Sequence, residues 1–175
     1  MTTYPERDLQ VVGERRTIKD LLESLLILEL MNPGPEFWIV SAWVSDIEIV
    51  DNSARQYGTL CPEWPLGPVR LSQVLLALMN RGTTVYLCTN EDSHNDALIQ
   101  KLEDASADLP GRFVCKRAKE LHQKGIVGSA FTLDGSMNLT YNGVYINDEH
   151  VIFRTDPAAV AERRLQHRVR WGVVP

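Results

Sequence analysis

Apolar and polar residues alternate along the chain between helix-like and strand-like spacing. Residues 14–31 carry leucines at helical intervals, and the proline- and glycine-rich run that follows ends this predicted helix. Residues 37–44 are almost continuously apolar, as expected of a strand that is buried on both faces. Residues 69–81 return to helical spacing, and Gly82 suits a left-handed helix cap. Residues 84–88 predict another buried strand.

The second half of the chain continues this alternation. Asp92 or Ser93 is expected to cap a helix that runs to about Ala105. A C-terminal helix begins at Asp156-Pro157, where the cap and the proline stand in the favoured order. Short apolar runs predict further strands, and one dipeptide has turn chemistry: the strands are 112–116, 125–127, 130–133 and 151–154, and the turn is Asp134-Gly135.

Alternating helices and strands predict an α/β fold with a mixed sheet. The chain length suits a single domain over residues 1–175, with residues 1–13 as a flexible N-terminal arm. Residues 45–68 are rich in proline and glycine and are expected to form a long irregular loop.

Composition is that of a soluble globular protein, with 44% hydrophobic and 23% charged residues. No apolar run reaches the length of a membrane span, and the N-terminus lacks the apolar core of a signal peptide, so we expect a cytoplasmic protein without membrane contact. Cys61, Cys88 and Cys115 have no zinc-site spacing, and we expect Cys88 and Cys115, which lie in apolar runs, to be buried free thiols.

The net charge of −5 argues against a protein that coats nucleic acid by charge alone, but the basic residues are clustered. One basic stretch covers residues 112–124, and four arginines lie near the C-terminus. We predict that both clusters contact phosphates; a solvated surface is the alternative. The predicted substrate contacts in the first cluster are Lys116, Arg117 and Lys119.

The candidate chemistry lies in residues 121–149. His122 and Lys124 are two residues apart, so on a strand they would face the same side and offer a phosphate an imidazole and a cation. Ser136 and Asn138 are small side chains that can hydrogen-bond phosphate oxygens. Glu149 can hold an imidazole through its second nitrogen.

This combination resembles the HKD motif of the phospholipase D superfamily, in which HxK is followed by GSxN. The matching residues are His122, Lys124, Gly135, Ser136 and Asn138, and the run Asn147-Asp148-Glu149 is similar to the N-x-E of small bacterial endonucleases of that superfamily. One position departs from the pattern: Ser129 stands where the family usually has Asp. Because that Asp is not the attacking group, the change bears on local strand support more than on the chemistry.

The resemblance implies a phospholipase-D-like mixed sheet flanked by helices on both faces. A first strand would lead toward the active site, where Trp43 would line the cleft, although burial of this tryptophan in the core is an alternative. The catalytic residues would be His122, Lys124, Asn138, Glu149 and Ser136, with no cofactor and no metal.

The reaction needs two imidazoles, one to attack phosphorus and one to protonate the leaving oxygen. The chain has one HxK, so the resemblance implies a homodimer in which two copies of His122 share a cleft. His150 adjoins Glu149 and would point to the opposite face of a strand, and His94 is expected at the surface.

The leading interpretation is a metal-independent phosphodiesterase, a nuclease that cleaves DNA through a phosphohistidine on His122. The chain is also similar to the phospholipase-D-like components of bacterial DNA-modification and restriction systems, which implies other protein partners in a defence system. A second interpretation is a catalytically weak or inactive DNA- or protein-binding subunit, favoured by Ser129 and the negative charge. A third interpretation is phosphatidyl transfer on lipids, which is the least favoured because the sequence contains no membrane element.

Overall fold

A computed structural model describes residues 6–11 and 16–173 of the chain. The strands are β1 (Glu6–Val11), β2 (Glu36–Val40), β3 (Glu48–Asp51), β4 (Pro68–Arg70), β5 (Thr84–Asn90), β6 (Phe113–Ala118), β7 (Gly125–Val127), β8 (Thr132–Gly135) and β9 (Glu149–Arg154). The helices are α1 (Arg16–Met31), α2 (Leu71–Asn80), α3 (Asp96–Ala105), α4 (Tyr141–Tyr145) and α5 (Pro157–Trp171), and a 3-10 turn at Ser93–Asn95 precedes α3.

Seven strands form one mixed sheet in the order β1-β9-β8-β7-β2-β5-β6. The strands β2, β5 and β6 run parallel to one another, whereas β7, β8, β9 and β1 join by antiparallel pairing. The strands β3 and β4 form a separate two-stranded sheet. Both parallel and antiparallel pairs are present, so the predicted mixed α/β fold is confirmed.

Helices cover both faces of the sheet, as predicted. On one face, Phe37 and Ile39 of β2 belong to a core that includes side chains of α1, α2, α3 and α4. On the other face, Trp38 and Val40 pack with Val160 of α5. Every residue of β2 is buried, which is why its apolar run is continuous.

The predicted irregular loop contains regular structure. Pairing of β3 with β4 makes a small antiparallel sheet, and Val69 lies in this sheet rather than in α2. Its register shifts between Glu48 and Val50, and two consecutive residues, Ile49 and Val50, are buried. A shift of this kind breaks the alternation by which a strand is recognised in a sequence.

Residues 6–11 of the predicted N-terminal arm form β1, which pairs with β9 at the edge of the sheet. The backbone partners of this polar segment come from the other end of the chain, with Glu6 opposite Arg154, so no local pattern announces the strand. Residues 1–5 and 12–13 of the predicted arm lie outside the described part of the chain.

The predicted turn at Asp134-Gly135 is wrong, because both residues lie in β8. Asp134 pairs with Gly125 of β7, and Gly135 pairs with Val151 of β9. The φ angle of Gly135 is +156°, and a Cβ there would lie 2.0 Å from the carbonyl oxygen of His150. Close approach of two strands therefore requires this glycine.

Within the described ranges, no helix is long and apolar enough to cross a membrane.

Candidate active site

Three neighbouring strands end at one point of the sheet and bring parts of the predicted motif together. Val40 of β2 pairs with Gly125 of β7, and Gly125 pairs with Asp134 of β8. Ser41 follows Val40, Lys124 precedes Gly125 and Gly135 follows Asp134. These three residues therefore line one narrow cavity together with apolar side chains. The cation of HxK and the glycine of GSxN are therefore neighbours.

His122 precedes β7 and does not lie on a strand, in contrast to the prediction. The neighbouring strand β2 ends at Val40, which pairs with Gly125, so the residues before Gly125 have no strand to pair with there. The side chain of His122 is exposed. Lys124 Nζ donates a hydrogen bond to the His122 carbonyl oxygen at 3.1 Å, and among the described residues no hydrogen bond reaches the His122 ring. The imidazole faces solvent beside the lysine.

Glu149 forms no hydrogen bond with the His122 ring in the described part of the chain, although the resemblance implied that Glu149 orients His122. Ser136 Oγ donates to Glu149 Oε2, and Asn147 Nδ2 donates to Glu149 Oε1 at 3.2 Å. Glu149 is buried, with 8% of its surface exposed. Ser136 also accepts a hydrogen bond from the backbone N–H of His150 at 3.1 Å. Since its one hydroxyl hydrogen goes to Glu149, Ser136 cannot donate to a phosphate at the same time.

Asn138 is oriented through its carbonyl end. Ser41 Oγ–H is shared between the Trp43 carbonyl oxygen at 2.8 Å and Asn138 Oδ1 at 3.3 Å. The Asn138 Nδ2 amide donates to no other residue within 6–11 and 16–173, so both of its hydrogens are available to a ligand. Gly143 of α4 is required here, because a Cβ would lie 2.1 Å from the Asn138 carbonyl oxygen.

Asn138 also lines an open groove of about 340 Å³ with Trp43, His94 and Tyr141. Trp43 is 41% exposed and lines this groove, so the alternative position in the core is wrong, while its contact with a substrate stays a prediction. His94 is exposed, as expected, and its Nε2 lies 2.9 Å from Ser45 Oγ. Sequence reasoning did not place His94 beside the motif, because the 3-10 turn that carries it is distant in sequence. It also did not consider Tyr141, although this residue begins α4 just after Asn138.

Solved structures with the same arrangement of strands and helices include NucT from Helicobacter pylori and Nuc from Salmonella typhimurium, a phospholipase D family member. NucT has a TM-score of 0.62 at 13% identity, and Nuc has a TM-score of 0.62 at 12% identity; each match covers 95% of this chain and 94% of the other. The chain has a phospholipase-D-like fold. No protein-family model and no curated protein matches its sequence.

A third solved structure is TrmBL2, which its description calls an archaeal chromatin protein with a novel mode of DNA binding. The match has a TM-score of 0.55 at 12% identity and covers 95% of this chain and 52% of TrmBL2. Similar folds therefore occur in a phospholipase D family member and in a chromatin protein, so the function has to be argued from the residues of the site.

A buried glutamate supports the position where Ser129 stands in place of the Asp expected from the HKD pattern. Glu29 Oε2 accepts hydrogen bonds from the Ser129 backbone N–H at 2.6 Å and from Ser129 Oγ at 2.9 Å. Its other oxygen accepts from the Gly34 N–H at 3.0 Å. Because Glu29 is fully buried, these bonds fix the connection between β7 and β8 to the end of α1.

The predicted phosphate contacts fall into two groups. Lys116 and Lys119 form no ion pair with any described residue, whereas Arg117 pairs with Asp96 at 2.7 Å. The arginines of α5 are mostly engaged within the fold: Arg163 pairs with Asp134 at 2.9 Å, Arg168 pairs with Glu36 at 2.7 Å, Arg164 donates to the Gly128 carbonyl oxygen at 2.8 Å, and Arg170 donates to Gln123 at 2.9 Å. These bonds tie α5 to the sheet and to the loop before β7, and they occupy the arginines for which phosphate contacts were predicted.

The remaining histidines are His150 and His167. On β9, Glu149 is buried and His150 is half-buried, in keeping with their predicted positions on opposite faces. His167 of α5 is 1% exposed. Burial, followed by the charges of Arg163 and Arg170, lowers the pKa of His167 to about 4.

The three cysteines are free; Cys88 is buried, as predicted, and so is Cys61, whereas Cys115 is only half-buried, in contrast to the prediction. Burial raises the pKa of the Cys88 thiol to about 12, which removes it as a nucleophile near neutral pH. Within the described ranges, no three His, Cys, Asp or Glu side chains are grouped to hold a metal ion.

Proposed function

We propose that this chain is a metal-independent phosphodiesterase that cleaves nucleic acid, with His122 as the nucleophile. The observation that carries the proposal is a cluster around Ser41. Lys124 lines the same cavity as Ser41, and Asn138 accepts a hydrogen bond from Ser41 through Oδ1 while its NH₂ group has no partner among the described residues. The exposed His122 lies next to Lys124. The likeness in fold to NucT and Nuc supports a phosphodiesterase. Metal independence follows from the resemblance to the HKD motif.

In the proposed reaction, an imidazole nitrogen of His122 forms a bond to phosphorus and the bond from phosphorus to the leaving oxygen breaks. A second imidazole gives its proton to that oxygen. The same imidazole then takes a proton from water, which attacks the phosphohistidine and releases His122. Lys124 and the Asn138 amide neutralise the charge that develops on the non-bridging oxygens.

Glu149 is the orienting carboxylate in this proposal. Ser136 and Asn147 hold it in place, and its bond to the imidazole forms when His122 turns inward from its exposed position. Catalytic hydrogen bonds are often long in unliganded proteins and tighten with substrate. Ser136 therefore acts by positioning Glu149.

The proposed source of the second imidazole is His122 of a second copy of the chain. An exposed histidine in the loop before β7 can approach its symmetry mate across a two-fold axis. The resulting site would contain two lysines and two asparagines around one phosphorus. The active unit in this proposal is therefore a homodimer.

The proposed substrate is DNA. Lys116 and Lys119 have no partner within the described ranges and are the residues that we assign to backbone phosphates; Arg117, paired with Asp96, contributes less. Partners from a bacterial defence system remain a prediction from the resemblance.

The second candidate is a DNA- or protein-binding subunit without turnover. The fold likeness to TrmBL2, a chromatin protein that binds DNA, favours this candidate, as does the hydrogen bond of Glu149 with Ser136 rather than with His122. Both functions place nucleic acid at the same site and differ in whether a bond is broken.

Incubation of the purified chain with plasmid, single-stranded DNA, RNA and bis(p-nitrophenyl) phosphate in EDTA separates the two candidates. The proposal predicts cleavage of at least one nucleic acid without added metal. Binding without cleavage of any of the four would instead support the binding subunit, and cleavage that requires added magnesium would contradict the mechanism.

A further inference from the structure

The groove that contains Asn138 continues past α4. The first part is lined by Trp43, His94 and Tyr141, and the second part, of about 540 Å³, by Tyr141, Tyr145 and Arg70. The two parts share Tyr141 and Ser45, so they form one trough, here called the aromatic groove. The motif's asparagine lies at one end, and a row of rings leads away from it.

The rings are exposed yet held in place. Trp43 is 41% exposed, and its Nε1 donates to Asp92 Oδ2 at 3.0 Å. Tyr141 is 59% exposed and stacks on Tyr145 with a centroid distance of 5.0 Å. The Tyr145 hydroxyl donates to the carbonyl oxygen of Glu48. Fixed, accessible aromatic faces are the surfaces on which unpaired bases stack.

The charges of the aromatic groove favour bases over phosphates. Asp46 is paired with Lys101 at 2.6 Å, and Glu48 is paired with Arg70 at 3.2 Å. Asp92 accepts hydrogen bonds from Trp43 Nε1 and the His94 backbone N–H. No unpaired cation lines the groove within the described ranges, so the groove has no means of attracting a phosphate chain along its floor.

We propose that the aromatic groove binds unpaired nucleobases of single-stranded nucleic acid, with Trp43 and Tyr141 as stacking surfaces. This inference rests on the proposed function for the position of the phosphate, at Lys124 and Asn138. The bases on one side of that phosphate enter the groove. Bases in a duplex are stacked on one another and cannot reach these rings, so the groove selects single strands.

The test measures binding of short labelled oligonucleotides to the His122→Ala chain, so that cleavage does not interfere. The ligands are a single strand, the matching duplex, and an abasic strand with the same number of phosphates. Trp43→Ala and Tyr141→Ala should each weaken binding of the single strand about 5- to 100-fold, which corresponds to the loss of one stacked base. Binding of the abasic strand should be weak in all variants and unchanged by either substitution.

Two matched controls separate stacking from other effects. Tyr141→Phe keeps the ring and should bind the single strand within about twofold of the parent. Leu66→Ala removes an equally exposed apolar side chain outside the groove and should have no effect. Circular dichroism of each variant checks the fold. If Trp43→Ala fails to fold, the comparison of Tyr141→Ala with Tyr141→Phe still tests the inference.

The result that overturns the inference is unchanged single-strand affinity in Trp43→Ala and Tyr141→Ala, or equal binding of the abasic strand. A change in oligomeric state without a change in affinity would also overturn it, because the groove would then be a protein interface. Hydrolysis of bis(p-nitrophenyl) phosphate by the wild type reports the proposed function independently. Binding that depends on the rings, without hydrolysis of this compound, would support base binding in the aromatic groove and contradict the proposed phosphodiesterase activity.

Discussion

At the level of single residues, Asn138 joins the fold to the proposed chemistry. Its Oδ1 faces Ser41, and its Nδ2 has no partner within the described residues. The same serine accepts a hydrogen bond from the Leu139 N–H at 3.1 Å, so the backbone is fixed on both sides of the contact. A donor preorganised in this way can stabilise a phosphorane without rearrangement.

Asn138→Asp tests this role selectively. The aspartate keeps an oxygen that accepts from Ser41 and replaces the amide donor with a second, negatively charged oxygen. We expect turnover to fall by at least about 100-fold, as for loss of one oxyanion donor, with little change in the melting temperature. Steady-state kinetics and thermal unfolding measure the two effects, and Asn142→Asp in the same groove is the control for added charge. Turnover within a few-fold of the wild type would remove Asn138 from the proposed mechanism.

The chemistry-bearing residues were easier to predict than their contacts. His122, Lys124 and Asn138 were predicted from the spacing of the HxK and GSxN runs, and the register of β7 and β8 places Lys124 beside Gly135. The partner of Glu149 was not found, because a carboxylate can bind any nearby donor and the sequence does not rank Ser136, Asn147 and His122.

At the level of elements, local pattern predicted those that are stabilised locally. The helix cap at Asp156 is an example, since its side chain accepts from the Ala159 N–H at 2.9 Å. The strand β1 was missed because its partner lies at the other end of the chain, and β3 because its register shift places two neighbouring residues inward. The aromatic groove was missed for the same reason as β1: its residues meet only in the folded chain.

The helix α5 carries a titratable group in the core, which predicts acid sensitivity. The His167 ring packs 5.6 Å from that of Trp38, and neither of its nitrogens has a hydrogen-bond partner in the described chain. The pKa is lowered from 6.5 to about 4, so the unfolded chain takes up the proton first as pH falls. This contribution to stability is complete above pH 6.5 and is lost between about pH 6.5 and 4, by about 3 kcal/mol in total.

His167→Phe removes that proton and keeps the ring. We expect the variant to lose less unfolding free energy than the wild type between pH 7 and pH 4.5, by about 2 to 3 kcal/mol. Urea unfolding at both pH values measures the difference, and His94→Phe at the surface is the control. Equal losses in wild type and His167→Phe would mean that other groups cause the acid sensitivity.

Lys116 in β6 and Lys119 just after it form no ion pair with a described residue, whereas Arg117 pairs with Asp96. The effect of this difference on DNA binding can be measured. Replacement of Lys116 and Lys119 by alanine should weaken DNA binding and lower the slope of log affinity against log salt by up to about 0.9 per lost duplex contact. Arg117→Ala should change the slope less, since its guanidinium already pairs with Asp96. An unchanged slope in the double variant would make these lysines part of a solvated surface.

At the level of the whole molecule, the proposal requires a shared site. Wild-type and His122→Ala chains with different tags can be unfolded together, refolded and separated as homodimers and the heterodimer. A composite site predicts that the heterodimer loses nearly all turnover or stalls as a phosphohistidine. A monomer by light scattering that retains full activity would contradict the dimer.

A heterodimer with half of the wild-type activity would mean that each chain supplies its own acid. His94 is then the residue to examine, because it lines the groove with Asn138. His94→Ala would abolish turnover in that case, whereas a shared site predicts that this variant keeps the chemical step and loses only binding contacts.

The most direct measurement compares wild type, His122→Ala and His150→Ala for cleavage of the preferred nucleic acid in EDTA. His150 adjoins Glu149 in sequence, but the proposal gives a role in the reaction only to His122. The expected result is that wild type and His150→Ala cleave at similar rates without metal, while His122→Ala is inactive and still folded by circular dichroism. Cleavage by His122→Ala, or loss of wild-type activity in EDTA, would contradict a phosphohistidine mechanism at this site.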